Sequence, residues 1–425
     1  MTFSLLFSLE FILVIANILL WLGPLLKSLK NDILNLLHPQ FITPLCIVYF
    51  ILNSMTQKWF HWFDGRLGLL KTTHYGHLYN PNYFVASLTI VAVSALFYHY
   101  GVRRFCSSIS DSSSDRILLN KITQVIPPNS KKPFLVFCFF ASAVAYLPNY
   151  YIPNAGLGTF WTYPLAMVNA FLPFMIFCVH KPLGLLSFAF SILSAIVMHS
   201  KASFLYPLLP VAFYYLSKHH FFEAQTWLRI SMIILLALLL LSVGFGGNYK
   251  KVLHRDYAFE VFAALVNDVP CSSFGNAGSL LSGESIGPFE SWTLEELKAG
   301  IPSILWPGKR FSENPSKAVS YWILSDDYAS LPDVYFNRFL LFSGYYDFGV
   351  TGAFLNAFGF GALYGWLWKK TKLKITNTGY LWPLFIYLPI PTIAAYFVAC
   401  GGITYGFINA LVPSLVMLFV VLISR

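Results

Sequence analysis

Charge is the scarcest thing in this chain. Only 11% of its 425 residues are Asp, Glu, Lys or Arg, whereas 57% are apolar and 18% aromatic. Soluble domains carry about 25% charged residues, and with a mean hydropathy of +0.62 the chain falls outside that class. Cysteine is sparse as well. Cys46, Cys106, Cys138, Cys178, Cys271 and Cys400 are scattered without metal-ligand spacing, and only Cys271 falls clearly in an outer loop, which excludes a disulfide framework. There is no Walker loop, no Rossmann glycine pattern, no His-Glu-x-x-His and no Gly-x-Ser-x-Gly. Nucleotide-driven and zinc chemistry have no support, and neither cofactor nor metal is expected. Paired broken helices of the kind that mark transporter repeats are not visible either.

What the chain has in abundance is long apolar runs. A bilayer core about 30 Å thick needs roughly 20 apolar residues per helix, and such runs predict an all-α polytopic membrane protein with eleven spans. They cover Phe3 to Leu22, Phe41 to Met55, Tyr83 to Tyr100, Pro133 to Tyr150, Tyr163 to Val179 and Leu183 to Met198. The rest are Ala202 to Leu216, Ile230 to Gly246, Gly344 to Trp368, Gly379 to Val398 and Gly402 to Ile423. Spans one to eight fill residues 1–247, one large extracytoplasmic loop fills 248–343, and the last three spans fill 344–425. As a single helix, Pro182 to Tyr215 would be about 50 Å long at 1.5 Å per residue, too long for one crossing. Two crossings or a re-entrant hairpin turning at His199-Ser200-Lys201 fit better.

Orientation follows from Lys and Arg, which short loops retain on the cytoplasmic side. The loops after odd-numbered spans, with the C-terminus, hold sixteen of the 28 cations, from Lys27, Lys30, Arg103 and Arg104 through Lys369, Lys370, Lys372, Lys374 and Arg425. They hold only four acids, Asp32, Asp111, Asp115 and Glu223. The formal net charge of +10 is therefore topological and implies no nucleic-acid partner. The N-terminus and the large loop lie outside and the C-terminus inside. No cleavable signal peptide is expected, because the first apolar run lacks a basic leader.

Three charged residues fall within the spans: Glu10, Lys201 and Asp347. Ionisable groups there are functional candidates by default. Glu10 stands two turns inside the outer end of its helix and is expected to lean toward water. Lys201, beside His199, belongs either to the interface or to a site. Asp347 is expected to cap a helix at its positive pole. Outside the membrane, Lys58 to Asn80 mixes aromatic with charged residues, as an interfacial belt or a sugar-stacking surface would. The large loop opens with Lys250-Lys251-x-x-His254-Arg255, passes Asn267-Asp268, and reaches Ile301-Pro-Ser-Ile-Leu-Trp-Pro-Gly-Lys-Arg310. Pro307-Gly308 favours a tight turn presenting Lys309 and Arg310, with Trp306 against the membrane or a sugar face. Lys250, Lys251, Arg255, Lys309, Arg310 and Arg338 lie among eleven loop acids. They read either as anchors to anionic headgroups or, more sharply, as a focused anion site whose Arg forks match diphosphate oxygens.

The Ile301 to Arg310 segment, followed by Asn314-Pro-Ser and by Gly344-Tyr-Tyr-Asp-Phe-Gly-Val-Thr-Gly352, resembles the oligosaccharide repeat-unit polymerases of the Wzy type. That resemblance is strongest from about residue 245 to 365. It implies a GT-C-like membrane glycosyltransferase fold and a metal-independent, inverting glycosyl transfer at the periplasmic face of a bacterial inner membrane. The implied partners are undecaprenyl-diphosphate-linked donor and acceptor, membrane lipid and a chain-length regulator protein. His254 or Asp268 would deprotonate the acceptor hydroxyl, Arg310 and Arg338 would join them in catalysis, and Lys201, Lys250, Lys251, Arg255, Trp306 and Lys309 would bind substrate. Two departures stand out: His199-Ser200-Lys201 replaces a Gly-Gly-Thr-Arg-like element, and Asn267-Asp268 replaces an Arg-Asp pair. A ligase moving finished polymer and a lipid-linked solute transporter are the rival readings.

The topology makes a direct prediction. Alkaline phosphatase fused after Gly308 will be active in intact cells, and the same reporter fused after Arg104 will be inactive; the reverse pattern would overturn the orientation.

Overall fold

The computed structural model of the chain describes residues 3–29, 38–59, 81–106, 134–141, 171–197, 211, 340–387 and 414–423. Among these residues all regular structure is helical and there is no strand. The principal helices are α1 (Phe3–Leu29), α2 (Pro39–Trp59), α3 (Pro81–Phe105), α4 (Lys181–Val197), α5 (Leu340–Thr378) and α6 (Trp382–Tyr387). Shorter helical stretches occupy 134–141, 171–179 and 414–423. Each overlaps part of a run expected to be a span, whereas the expected spans at 202–216 (residue 211 apart) and 230–246 and nearly all of the expected loop at 248–343 lie outside the described residues. By length and composition one helix, Phe84–Phe105, is apolar and long enough to cross a membrane; Leu9–Pro24, Lys181–Leu193 and Ser414–Ile423 are apolar but shorter.

α3 is the hub. It contacts α1, α2 and α5, most extensively α5, and Leu88, Val91, Ala95, Tyr98 and Val102 along it are buried. The α5 surface meeting it is cut down to small residues at intervals of four: Ala353, Ala357, Gly361 and Gly365. A Cβ on Gly361 would fall on the Tyr98 carbonyl oxygen, and one on Gly365 would lie 2.8 Å from the Val102 carbonyl oxygen. From the other side, a Cβ on Gly101 would come within 2.5 Å of the Phe358 oxygen and 2.8 Å of the Ala362 nitrogen. Small residues let helix backbones approach this closely, and in lipid that approach supplies the dispersion energy that apolar burial cannot. Phe97 stacks on Phe354 with centroids 4.9 Å apart, and Tyr100 on Phe358 at 6.0 Å. Partners advance together along both helices, so α3 and α5 run parallel.

α1 also runs parallel to α3. Asn17 Nδ2 donates to the Leu88 carbonyl (3.0 Å) and Trp21 Nε1 to that of Val91 (3.2 Å). Glu10, Val14, Asn17 and Trp21, spaced as one helical face, are buried, while Phe11, Ile12, Ile15 and Leu19 on the opposite face are exposed. Leu185, Leu186 and Leu193 of α4 are similarly bare. Bulky apolar faces turned outward mark contact with lipid or protein rather than water. Glu10 departs from expectation: at 3% exposure it points into the bundle, because its helical phase is that of Val14 and Asn17.

Two features of the backbone were not anticipated. α4 leaves the helix ending at Val179 by a corner so tight that a Cβ on Gly184 would fall on the Phe177 Cα. α5, expected as one span from Gly344 to Trp368, is broken at Phe348 (φ −137°) and Gly349 (φ 61°, ψ −148°). The chain folds back there until a Cβ on Gly352 would strike the Gly344 carbonyl, and Asp347 sits at that break rather than inside a continuous helix. Gly349 occupies a region open only to glycine. Beyond Trp368 the helix continues to Thr378, so Lys369, Lys370, Lys372 and Lys374 stand on helix rather than in a loop. It ends where Gly379 takes φ 69° and donates its N–H to the Ile375 carbonyl (2.9 Å), a left-handed glycine stop.

The glycines of α5 give a controlled comparison. Gly361→Ala drives a methyl into Tyr98 backbone and will destabilise the purified protein by about 1–3 kcal/mol. Gly359→Ala, which meets nothing within 4 Å, will be neutral or stabilise by about 0.5–1 kcal/mol through helix propensity. Thermal unfolding in detergent followed by circular dichroism tests both, and equal midpoints for the two variants would contradict the packing.

Candidate functional site

Parallel α1, α3 and α5 bring their C-terminal halves together, and α2 begins at the same end. The polar side chains there form a buried junction. His38 caps α2: the Gln40 N–H donates to His38 Nδ1 (3.2 Å) and the Phe41 N–H to the His38 carbonyl (2.8 Å), with Pro39 at the first helical position. Because Nδ1 accepts, the proton of a neutral ring sits on Nε2, which lies 3.7 Å from Cys106 Sγ at the end of α3. The ring also stands edge-on to Trp368 of α5, centroids 6.3 Å apart. One imidazole thus touches three helices.

Tyr98 and His99 extend the junction. The Tyr98 hydroxyl donates to the Pro39 carbonyl (2.7 Å), tying α3 to the start of α2. His99 Nε2 lies 3.1 Å from the Trp21 carbonyl, and its ring leans on Trp21 (5.9 Å) and Tyr98 (5.6 Å). Gln40 Nε2 and Trp368 Nε1 are buried nearby with no hydrogen-bond partner. Most contacts bind side chain to backbone across a helix pair. That pattern suits the fixing of helix register more than catalysis.

His38 lies outside the expected spans. Burial pushes its pKa down from 6.5 to about 3, assisted by the positive field of Lys372 and by His99. A neutral His38 matches its use as an acceptor. Among the described residues no group of three His, Cys, Asp or Glu side chains could hold a metal ion. Cys46, Cys106, Cys138 and Cys178 are not in disulfides.

The residues singled out from sequence, Lys201, Lys250, Lys251, His254, Arg255, Asp268, Trp306, Lys309, Arg310 and Arg338, all lie outside the described residues. Of the three charged residues read into the spans, Glu10 turns inward and Asp347 marks the α5 break. The His38 junction was not foreseen. Its one sequence signal is His-Pro-Gln at the start of an apolar run, a polar cap followed by proline, and His180-Lys-Pro repeats it before α4, where the Leu183 N–H donates to His180 Nδ1 (3.3 Å). No protein-family model, curated protein or solved structure matches the chain.

The cap imposes a pH dependence of definite sign. The unfolded chain takes up a proton near pH 6.5 that folded His38 refuses until about 3. Stability attributable to His38 is therefore intact above 6.5 and lost as pH falls toward 3, at no more than about 1.4 kcal/mol per pH unit. Unfolding midpoints measured from pH 7.5 to 4.5 will fall less steeply for His38→Asn, which can still cap α2, than for the native chain.

Proposed function

We propose that the chain is an eleven-span inner-membrane polymerase that joins undecaprenyl-diphosphate-linked oligosaccharide repeat units by metal-independent, inverting glycosyl transfer at the periplasmic face. The observation that carries this reading is the Ile301 to Arg310 segment with its Trp-Pro-Gly-Lys-Arg sequence, which resembles the polymerases of enterobacterial common antigen. Supporting the membrane placement, the described helices overlap expected spans, α1 and α4 turn bulky apolar faces outward, and α1, α3 and α5 run parallel with their cations at one end. Odd-numbered spans read on a positive-inside rule would run in that way.

In this reading the acceptor hydroxyl attacks the anomeric carbon of the donor sugar while the bond to the diphosphate breaks. His254 or Asp268 takes the hydroxyl proton. Lys250, Arg255, Lys309, Arg310 and Arg338 hold the diphosphate as negative charge gathers on it, the service a metal supplies elsewhere. Trp306 offers a face for a sugar, and the lipid tail lies between spans. Lys201 and Lys251 complete the set of substrate-binding cations.

A second reading, a transporter for a lipid-linked solute, is favoured by one specific observation: Glu10 is buried in the bundle on the same face as Asn17, and intramembrane acids commonly belong to transport pathways. The two are separable. Arg310→Ala and Arg338→Ala will each collapse the surface-polysaccharide ladder to single repeats, with single-repeat carrier accumulating and at least a hundredfold less polymer. Glu10→Gln will leave the ladder in place. Native ladders from both arginine variants at normal expression would overturn the polymerase, and long polymer accumulating on the carrier would indicate a ligase.

A further inference from the structure

Packing joins two basic clusters that the sequence keeps far apart. Arg103 and Arg104 close α3, and Lys369 and Lys370 lie on α5 just beyond Gly365, whose close approach to Val102 sets both pairs at neighbouring levels of the parallel helices. All four side chains are exposed. Beside them Trp366 is 46% and Tyr100 61% exposed, and Lys370 Nζ stands 6.0 Å from the Trp366 ring centroid. The only acids among the described residues are Glu10, in the first half of α1, and Asp347, near the start of α5, both many residues along parallel helices from this end.

We propose that this patch binds an anionic phospholipid headgroup of the cytoplasmic leaflet. The four cations supply charge complementary to a lipid phosphate. The amphipathic rings of Trp366 and Tyr100 mark the headgroup level, and the stacked Phe97–Phe354 and Tyr100–Phe358 pairs provide an apolar wall below it for acyl chains. Phe97 and Tyr100 are exposed on that side. The cations come from both helices, so a bound headgroup spans the α3–α5 seam and strengthens it. The inference rests on the membrane placement proposed above and not on the polymerase chemistry.

The test uses the full-length protein in neutral detergent, titrated with phosphatidylglycerol or phosphatidylcholine and read as retained lipid and as a rise in unfolding temperature. Phosphatidylglycerol will bind and stabilise; phosphatidylcholine will do neither. Arg103→Gln/Arg104→Gln and Lys369→Gln/Lys370→Gln will each weaken binding by about twenty-fivefold, from roughly fivefold per cation, whereas Lys58→Gln, near the far end of α2, will not. Inorganic phosphate at millimolar concentration will not reproduce the stabilisation. Equal binding of both lipids, unchanged affinity in either patch variant, equal loss in the Lys58 control, or stabilisation by phosphate alone would each overturn the proposal. The polysaccharide ladder is a separate readout: lost ladders with intact lipid binding, or the reverse, tell which reading has failed.

Discussion

The approach of the α3 and α5 backbones at Gly101, Gly361 and Gly365 is the contact on which the described structure depends. In water two helices are pressed together by the apolar surface they hide. In the membrane setting proposed above that force vanishes, and the contact comes from dispersion between closely fitted atoms. A chain that removes side chains at every fourth position of α5 obtains that fit directly. It also fixes axial register, since a slip of one residue would set a larger side chain against Tyr98 or Val102 backbone.

Register at this seam determines what happens at its end. With Val102 held against Gly365, Cys106 and Trp368 come level, and the start of α2 fits between them. His38 then reaches Cys106 and Trp368 while capping its own helix, and Tyr98 bonds the Pro39 carbonyl. Most polar groups of the junction are spent on backbone, where neutral side chains suffice. A protonated His38 would lose its acceptor and face Lys372. The same register sets Arg103 and Arg104 beside Lys369 and Lys370, so the buried junction and the exposed basic patch have one cause.

The helices were legible from sequence because a long apolar run favours helix, and the described helices fall within or across such runs, although by length and composition one of them, Phe84–Phe105, is apolar and long enough to cross a membrane. Helix ends were less legible. Lys369 to Lys374 look like a loop by hydropathy, yet helix continues through them because nothing in that stretch breaks it until Gly379. The α5 break at Gly349 was hidden among many glycines, only one of which takes the Gly-only backbone. The inward turn of Glu10 was in principle readable, since it shares helical phase with Asn17 and Trp21, but phase alone does not say which face of a helix is inside when both faces are apolar. The candidate catalytic residues of 248–343 come from motif and charge alone.

By itself the sequence determined the helical character of the described residues and the places of their helices, because both depend on local apolarity along the chain. Only the tertiary structure decided that α1, α3 and α5 run parallel, that Glu10 and His38 are interior, and that Arg103 and Lys369 belong to one surface. Those facts turn on which faces meet, and steric fit between residues some 260 positions apart is not recorded in either segment alone.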